Sequence, residues 1–261
     1  MKKIDLNECH KLLLGIAKEF DRICTEHNIP YYMLGGTMLG AIRHKGFIPW
    51  DDDMDFGVPR PYYQKLMEVL EKELPEPYRC CTFENHEAVK SPFIKIADCN
   101  TLIDDPRTRM PLEKQIGLNI DIFPLDCCDK DNKDVKKIHR WLDLSQIIYI
   151  ESTQGNKLKT IVKFLLRLIF PIKYNTMMRK INVWAASLSE GKCLGNLFGR
   201  WRVKEIIPLE WYGEGIRYEY EDTTFCGIKN YDDYLTHMYG EYMQLPPMEK
   251  RDCHADNVYI K

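Results

Sequence analysis

The stretch "GGTMLGAIRHKGFIPWDDDMDFGV", residues 35–58, begins with two glycines and carries a basic triplet and four carboxylates. Asp53 and Asp55 lie two residues apart. In a strand they would share one face, which Asp51 joins by the same parity while Asp52 points away. Carboxylates that close raise each other's pKa unless a cation lies between them. Oxygen ligands suit hard cations, so the pattern predicts a Mg²⁺ or Mn²⁺ site. An acidic turn in solvent is the alternative interpretation.

A third acid is expected from a neighbouring strand. In "NIDIF", Asp121 stands between Ile120 and Ile122, where an apolar strand offers no other reason for a charge. A buried, unpaired carboxylate is costly, so we expect Asp121 to face partners. Asp53, Asp55 and Asp121 are therefore the predicted catalytic acids, arranged as a platform for phosphoryl transfer.

The glycines precede this platform by fewer than twenty residues. Backbone N–H groups at Gly35, Gly36 and Thr37 can face a phosphate, helped by a following helix N-terminus. The basic side chains between the glycines and the acids are further candidates for phosphate binding: Arg43, His44 and Lys45. An ordinary glycine turn followed by solvated surface residues is the alternative. No G-K-[ST] motif is present, so a P-loop enzyme is not indicated.

Composition limits the classes of protein that fit. The 261 residues are 44% hydrophobic with a formal net charge of −2, which favours a folded globular protein and argues against nucleic-acid binding. Ten cysteines without a C-x-x-C pair indicate free thiols in a reducing compartment. The N-terminus shows no secretory signal, so we expect a cytoplasmic protein.

The hydrophobic pattern predicts an α+β fold with a mixed sheet flanked by helices. Helices are predicted over 5–27 and 62–74, and strands over "YYML", "MDFGV", "SPFIKIADC" and "IGLNIDIFPL". Strand, glycine turn, helix and D-x-D strand follow the layout of a nucleotidyltransferase. We expect a catalytic core over 1–132, and a helical and aromatic-rich segment over 133–261 that completes the substrate site.

Two long motifs carry a resemblance to a known family. "YYMLGGTMLGAIRHKGFIPWDDDMDFGVPRPYYQKL", residues 31–66, closely resembles the LicD family and the related fukutin family. The tail "YDDYLTHMYGEYMQLPPMEKRDCH", residues 231–254, is similar to the C-terminal motif of that family. The resemblance implies a nucleotidyltransferase-like fold and a phosphotransferase of cell-surface glycans. The donor it implies is CDP-choline or, as in fukutin relatives, CDP-ribitol.

The resemblance also implies roles for single residues. Asp51, Asp53 and Asp55 match the metal-binding acids, and Gly35, Gly36 and Thr37 match the glycine motif. Arg251 and His254 match the basic end of the tail, although this chain lacks the paired histidines found there in many members. Together with spacing, it predicts that Arg43 and either Lys45 or Lys95 hold the phosphates, while Asp121 is a metal ligand or a base.

The predicted reaction is attack of a sugar hydroxyl on the phosphorus attached to choline, with release of CMP. The acceptor is expected to be a lipopolysaccharide or another cell-surface glycan, or its lipid-linked precursor. A nucleotidyltransferase that modifies a small molecule and releases pyrophosphate is the alternative enzyme. A binding protein with a decayed site is a third class, against which the intact acids argue.

Two other features bear on the substrates. Choline favours aromatic faces, and the aromatic candidates are Trp201, Trp211, Tyr212, Tyr218 and Tyr220. The segment 157–180 carries seven Lys or Arg and no acid, and it is too interrupted to span a bilayer. It predicts peripheral contact with the inner face of the membrane, with a solvated basic helix face as the alternative.

Overall fold

The computed structural model describes residues 1–105, 110–149, 163, 166–167, 172–251 and 257–261. Within these ranges seven α-helices surround a nine-stranded mixed sheet and a three-stranded antiparallel sheet. The helices are α1 (Leu6–Glu26), α2 (Gly35–His44), α3 (Arg60–Glu73), α4 (Lys133–Tyr149), α5 (Tyr174–Ala186), α6 (Leu209–Tyr212) and α7 (Tyr231–Tyr239). The predicted α+β class is confirmed.

Twelve strands are present in the described part of the chain. They are β1 (Lys2–Lys3), β2 (Tyr32–Met33), β3 (Asp55–Pro59), β4 (Tyr78–Cys81), β5 (Ile94–Asp98), β6 (Thr101–Ile103), β7 (Asn119–Cys128), β8 (Cys193–Asn196), β9 (Ile206–Pro208), β10 (Ile216–Tyr220), β11 (Thr223–Gly227) and β12 (Val258–Ile260). The four strands expected over the first 132 residues are all found. β7 runs further than predicted, because "DCC" at residues 126–128 belongs to the strand.

The two helices predicted from periodicity form because each has a local start signal and an apolar face. Asp5 caps α1 through a capping box with Glu8, and the buried side chains of this helix recur at helical spacing. α3 begins with Arg60 and has a proline in its first turn, where the missing N–H is not needed. Both helices pack against β7 and against each other.

The large sheet is built around two parallel strands. β3 pairs with β7 in parallel, β2 lies antiparallel on the other side of β3, and β5 lies antiparallel beside the first half of β7. The second half of β7 pairs with β8, and β11 pairs with β2. Strands from both sides of residue 132 therefore share one sheet. The predicted boundary between 1–132 and 133–261 stays a prediction.

The middle of the chain is helical where the structure describes it, over α4 and α5, which pack against each other. Most of the basic segment 157–180 before α5 lies outside the described residues. Among the helices that the structure describes, none combines the length and the apolar character that a bilayer-spanning helix requires.

Candidate active site

A pocket of about 540 Å³ opens beside the start of β3. Its floor contains three of the predicted acids, contributed by the loop before β3, by β3 itself and by β7. They are Asp53, Asp55 and Asp121. The walls come from the start of α2, the segment 90–93, the turn 198–205 and α7. Residues that are far apart in sequence thus surround one group of carboxylates.

The loop before β3 brings three consecutive acids together. One carboxylate oxygen from each of Asp51, Asp52 and Asp53 lies within 4.8 Å of the others. The expectation that Asp52 would point away is wrong, because β3 begins only at Asp55 and residues 51–54 are not strand. Without strand geometry, side chains need not alternate between faces. The ring nitrogen Nε2 of His10 lies 2.6 Å from the Asp51 carbonyl oxygen and anchors this loop to α1.

The parallel pairing of β3 with β7 brings the third acid to the site. Asp55 lies directly opposite Asp121 in the register of these strands, so the predicted juxtaposition is found. Lys95 of β5 lies opposite Asp121 on the other side, and its Nζ contacts the Asp121 carboxylate and, at 3.0 Å, the Asn119 side chain. Lys95 was predicted to hold phosphate, and here its ammonium group is engaged by Asp121.

The carboxylates of the pocket floor repel one another. Desolvation by the pocket walls, followed by the charges of Asp51 and Asp121, raises the pKa of Asp53 to about 8. Desolvation, then Asp53 and Asp121, raises the pKa of Asp55 well above its usual range. Burial and like charges both disfavour an ionised carboxylate. The local positive charge of Lys95 does not offset this repulsion.

These carboxylates fit a hard divalent cation. They offer only oxygen donors, they converge from two elements, and their raised pKa values show that a positive charge would stabilise their ionised form. Mg²⁺ or Mn²⁺ matches such donors better than Zn²⁺, which favours nitrogen and sulfur ligands. The metal itself stays a prediction.

The glycines allow close approach of the acids to α2. A Cβ atom at Gly36 would lie 2.5 Å from Oδ2 of Asp51, and Gly35 has a φ of +51°. α2 begins at Gly35 itself, so the glycines form its first turn rather than a separate turn before it. The hydroxyl of Thr37 is buried and accepts a hydrogen bond from the Asp55 N–H at 2.8 Å. Thr37 therefore positions β3 against α2.

The basic candidates Arg43, His44, Lys45 and Arg251 are not among the residues described as lining this pocket. Arg43 donates to the Tyr242 carbonyl at 2.8 Å and to His44 at 2.9 Å, while Lys45 is exposed and ends α2 in a left-handed conformation. The Arg251 guanidinium lies 4.8 Å from the centre of the Trp50 ring. The predicted role of His254 falls outside the described residues. Their roles in phosphate binding stay predictions.

Sequence reasoning missed several residues that the later chain contributes to this pocket, among them Tyr234 and Glu205. The Tyr234 hydroxyl accepts a hydrogen bond from the Gly35 N–H at 2.8 Å, and both residues line the pocket. Glu205 lines the same pocket, and desolvation raises its pKa to about 7. The tail motif contained Tyr234, but no spacing in the sequence related it to Gly35. No motif or spacing in the sequence singled out Glu205.

The aromatic candidates for choline binding differ in their burial and in whether they line the pocket. Trp201 lines the pocket and is 51% exposed, with Lys204 Nζ at 5.6 Å from its ring centre. Tyr212 and Tyr220 are buried in the hydrophobic core. Trp211 and Tyr218 are partly buried beside the core, and neither is among the residues described as lining the pocket.

Comparisons with known proteins agree with the sequence motifs. The family profile described as "LicD/FKTN/FKRP, nucleotidyltransferase domain" matches residues 28–173. The lipopolysaccharide cholinephosphotransferase LicD of Haemophilus influenzae is 32% identical over 270 residues, with 100% of both chains covered. The ribitol 5-phosphate transferase FKRP of Homo sapiens is 36% identical over 50 residues, which are 19% of this chain and 10% of that protein.

Proposed function

Since this chain belongs to the LicD family and is a phosphotransferase, we propose that it transfers phosphocholine from CDP-choline to a glycan hydroxyl. The full-length similarity to a lipopolysaccharide cholinephosphotransferase carries this proposal. The acceptor is then a sugar of lipopolysaccharide or of a related cell-surface glycan, free or lipid-linked. The shorter similarity to a ribitol 5-phosphate transferase makes CDP-ribitol the second donor to test.

The reaction requires one bond to form and one to break. The acceptor oxygen attacks the phosphorus that carries choline, the bond from that phosphorus to the bridging oxygen breaks, and CMP leaves. Asp51, Asp53 and Asp55 would hold Mg²⁺ or Mn²⁺, which offsets charge on the donor diphosphate when bound. The N-terminus of α2 adds a positive potential beside the same acids. We infer a nucleotidyltransferase-like arrangement of the catalytic core from the description of the matching family profile.

Asp121 has two candidate roles, as a metal ligand or as the acceptor of the hydroxyl proton. Its contact with Lys95 holds one carboxylate oxygen, and either role would use the other one. The variant Asp121→Asn separates the two roles. An unchanged Mn²⁺ affinity with slow transfer supports the base, whereas a lost Mn²⁺ affinity supports the ligand.

The first test is release of CMP from CDP-choline in the presence of Mg²⁺ or Mn²⁺. We expect release by the wild type, slow without an acceptor, and none by Asp55→Asn. Release from CDP-ribitol or CDP-glycerol alone would keep the mechanism and change the donor. Release from no CDP-alcohol, with candidate glycans present, would overturn the proposal.

The alternative activity is nucleotidyl transfer to a small molecule. The description of the matching family profile as a nucleotidyltransferase domain favours keeping it as the second candidate. The products distinguish the two reactions, because nucleotidyl transfer from CTP or ATP releases pyrophosphate. Pyrophosphate release by the wild type, with no CMP from any CDP-alcohol, would establish the alternative.

We propose that the enzyme works in the cytoplasm, at the inner face of the membrane. Nine cysteines in the described part of the chain are free thiols, as a reducing compartment favours. The basic segment 157–180 would supply attraction to anionic lipid. Liposome sedimentation tests the contact: unchanged binding after neutralising Lys157, Lys159 and Lys163 would refute it.

A further inference from the structure

Tyr234 is a buried side chain at the edge of the acidic pocket. It is 4% exposed and lies on α7, which packs against α2. Its hydroxyl oxygen lies 2.8 Å from the backbone nitrogen of Gly35, the first residue of α2. The phenol of the C-terminal segment therefore closes the end of a helix whose first turn contacts the acids.

The hydrogen bond uses only the acceptor capacity of the phenol. A tyrosine hydroxyl can accept and can also donate one hydrogen bond. Within the part of the chain that the structure describes, the hydrogen bond of this hydroxyl is the one it accepts from Gly35. Desolvation raises the pKa of Tyr234, so the group keeps its proton. Among the described residues, this O–H group beside the pocket thus has no acceptor.

The environment strengthens this donor. The Gly35 N–H polarises the phenol oxygen, and a hydroxyl that accepts one hydrogen bond donates a second one more strongly. The same N–H belongs to the positive end of α2. Asp53 and Asp55 line the pocket with Tyr234, so a phosphoryl group neutralised by a metal at those acids would lie within the same cavity.

We propose that Tyr234 is a catalytic residue whose O–H donates a hydrogen bond to a phosphoryl oxygen of the donor diphosphate. This inference deepens the proposed function and rests on it for the identity of the donor. Negative charge on the phosphoryl oxygens is distributed differently as the bond to CMP breaks, and a fixed donor stabilises the charge where it develops. The proton stays on the tyrosine, and no bond to it breaks.

Binding of inorganic pyrophosphate in the presence of Mn²⁺ tests the contact without any turnover. We expect Tyr234→Phe to bind pyrophosphate about 10-fold more weakly, as loss of one hydrogen bond to a charged group implies. Mn²⁺ affinity alone should be unchanged, since the acids keep their positions. Equal pyrophosphate affinity in Tyr234→Phe and wild type, measured by titration calorimetry, would overturn the proposal.

Tyr31→Phe is the matched control. Its hydroxyl is also buried and also accepts a backbone N–H from the later chain, that of Cys226 at 3.1 Å, but it donates to Asp21 instead of facing the pocket. We expect Tyr31→Phe to bind pyrophosphate like the wild type. A loss as large as that in Tyr234→Phe would assign the effect to general loss of a buried hydroxyl and overturn the proposal.

Turnover supplies the second measurement. Tyr234→Phe should lower kcat for CMP release about 100-fold, with a much smaller change in KM, because the bond strengthens in the transition state. Absence of CMP release by the wild type would refute the proposed function, while the pyrophosphate titration would still judge Tyr234. If Tyr234→Phe does not melt cooperatively, 3-fluorotyrosine at position 234 replaces it. Its more acidic O–H must then tighten pyrophosphate binding, and unchanged affinity overturns the proposal.

Discussion

At the scale of single residues, the clustered carboxylates lower the stability of the folded protein. Asp53 and Asp55 are held where desolvation and like charges raise their pKa values, so their ionised forms destabilise the folded chain. His10 and Thr37 contribute fixed hydrogen bonds that keep the acidic loop and β3 in place against this repulsion. A bound divalent cation would offset this repulsion.

Removal of one acid should stabilise the metal-free protein. We expect Asp55→Asn to raise the melting temperature by about 2–8 °C without metal, because repulsion falls by an estimated 1–2 kcal/mol. Added Mn²⁺ should raise the melting temperature of the wild type but not that of the variant. Asp98→Asn, in β5 and away from the pocket, is the control and should keep the Mn²⁺ response. A variant that still responds to Mn²⁺ would remove Asp55 from the metal site.

Gly36 is needed for the acids rather than for the fold. In Gly36→Ala the new Cβ would meet a flexible Asp51 oxygen, so we expect a folded protein whose Mn²⁺ affinity falls about 10-fold. Gly40→Ala in the same helix is the matched contrast, since its Cβ would lie 2.5 Å from the backbone oxygen of Gly46. That variant should lose about 1–3 kcal/mol of stability by overpacking. Equal Mn²⁺ affinities in Gly36→Ala and wild type would contradict this explanation.

His139 should make the protein less stable in mild acid. It is 8% exposed, its Nε2 has no hydrogen-bond partner in the described structure, and it faces Arg202 and Asp143. Desolvation, followed by Arg202, lowers its pKa in the folded state. The unfolded chain therefore binds the proton first, and stability falls as the pH drops below about 6.5.

The variant His139→Gln isolates this contribution. The difference in unfolding free energy between wild type and variant should change with pH between about 7 and 5, favouring the variant in acid. His44 and His86 also have lowered pKa values, but they remain in both proteins and cancel in the difference. Parallel stability curves for wild type and variant would show that His139 does not titrate differently on folding.

At the scale of elements, a buried ion pair joins α3 to β7. Arg60 donates to both carboxylate oxygens of Asp126 at 2.6 and 2.8 Å, and Asp126 is fully buried. This pair orients the first turn of α3 against the strand that also carries Asp121. Register and helix placement are thus fixed together, beside the site.

Removing one partner of this ion pair should lower the unfolding free energy far more than replacing both partners. Arg60→Met leaves a buried carboxylate without a partner and should cost about 3–5 kcal/mol in urea unfolding. The double variant Arg60→Met with Asp126→Leu should recover much of that loss, because no buried charge remains. A double variant whose loss equals or exceeds the sum of the single losses would contradict the buried-charge explanation.

At the scale of the whole molecule, one sheet joins the early and late parts of the chain. β2 pairs with β11 and the second half of β7 pairs with β8, so strands beyond residue 190 cover the edge of β2 and the second half of β7. The three-stranded sheet also joins the two ends of the chain, β1 with β12. The pocket likewise takes walls from both parts.

A fragment of residues 1–132 should therefore not fold alone. It would expose the edges of β2 and β7 together with buried apolar side chains, and exposed edges favour aggregation. We expect no cooperative thermal transition in circular dichroism, whereas the full chain should show one. A sigmoidal transition of the isolated fragment would establish 1–132 as an independent domain.

Features that depend on neighbours along the chain could be predicted from the sequence, whereas features that depend on distant contacts could not. α1, α3 and β7 follow from local patterns, since periodicity and caps involve neighbours along the chain. The predicted strand "MDFGV" and β3 differ by one residue, but the alternation expected for the three aspartates before it is not found, because residues 51–54 are not strand. α2 began at the glycines, because the tail supplies the Tyr234 hydroxyl as a partner for the Gly35 N–H.

By itself the sequence determined the family, the α+β class and the identity of the acidic candidates, because motif chemistry and hydrophobic periodicity are local properties. Only the tertiary structure decided which groups meet. The register opposes Asp55 to Asp121, Lys95 reaches that acid from β5, and Tyr234 reaches α2 across 199 residues of sequence. Such contacts depend on strand pairing and helix docking, which minimise the free energy of the whole chain rather than of any one segment.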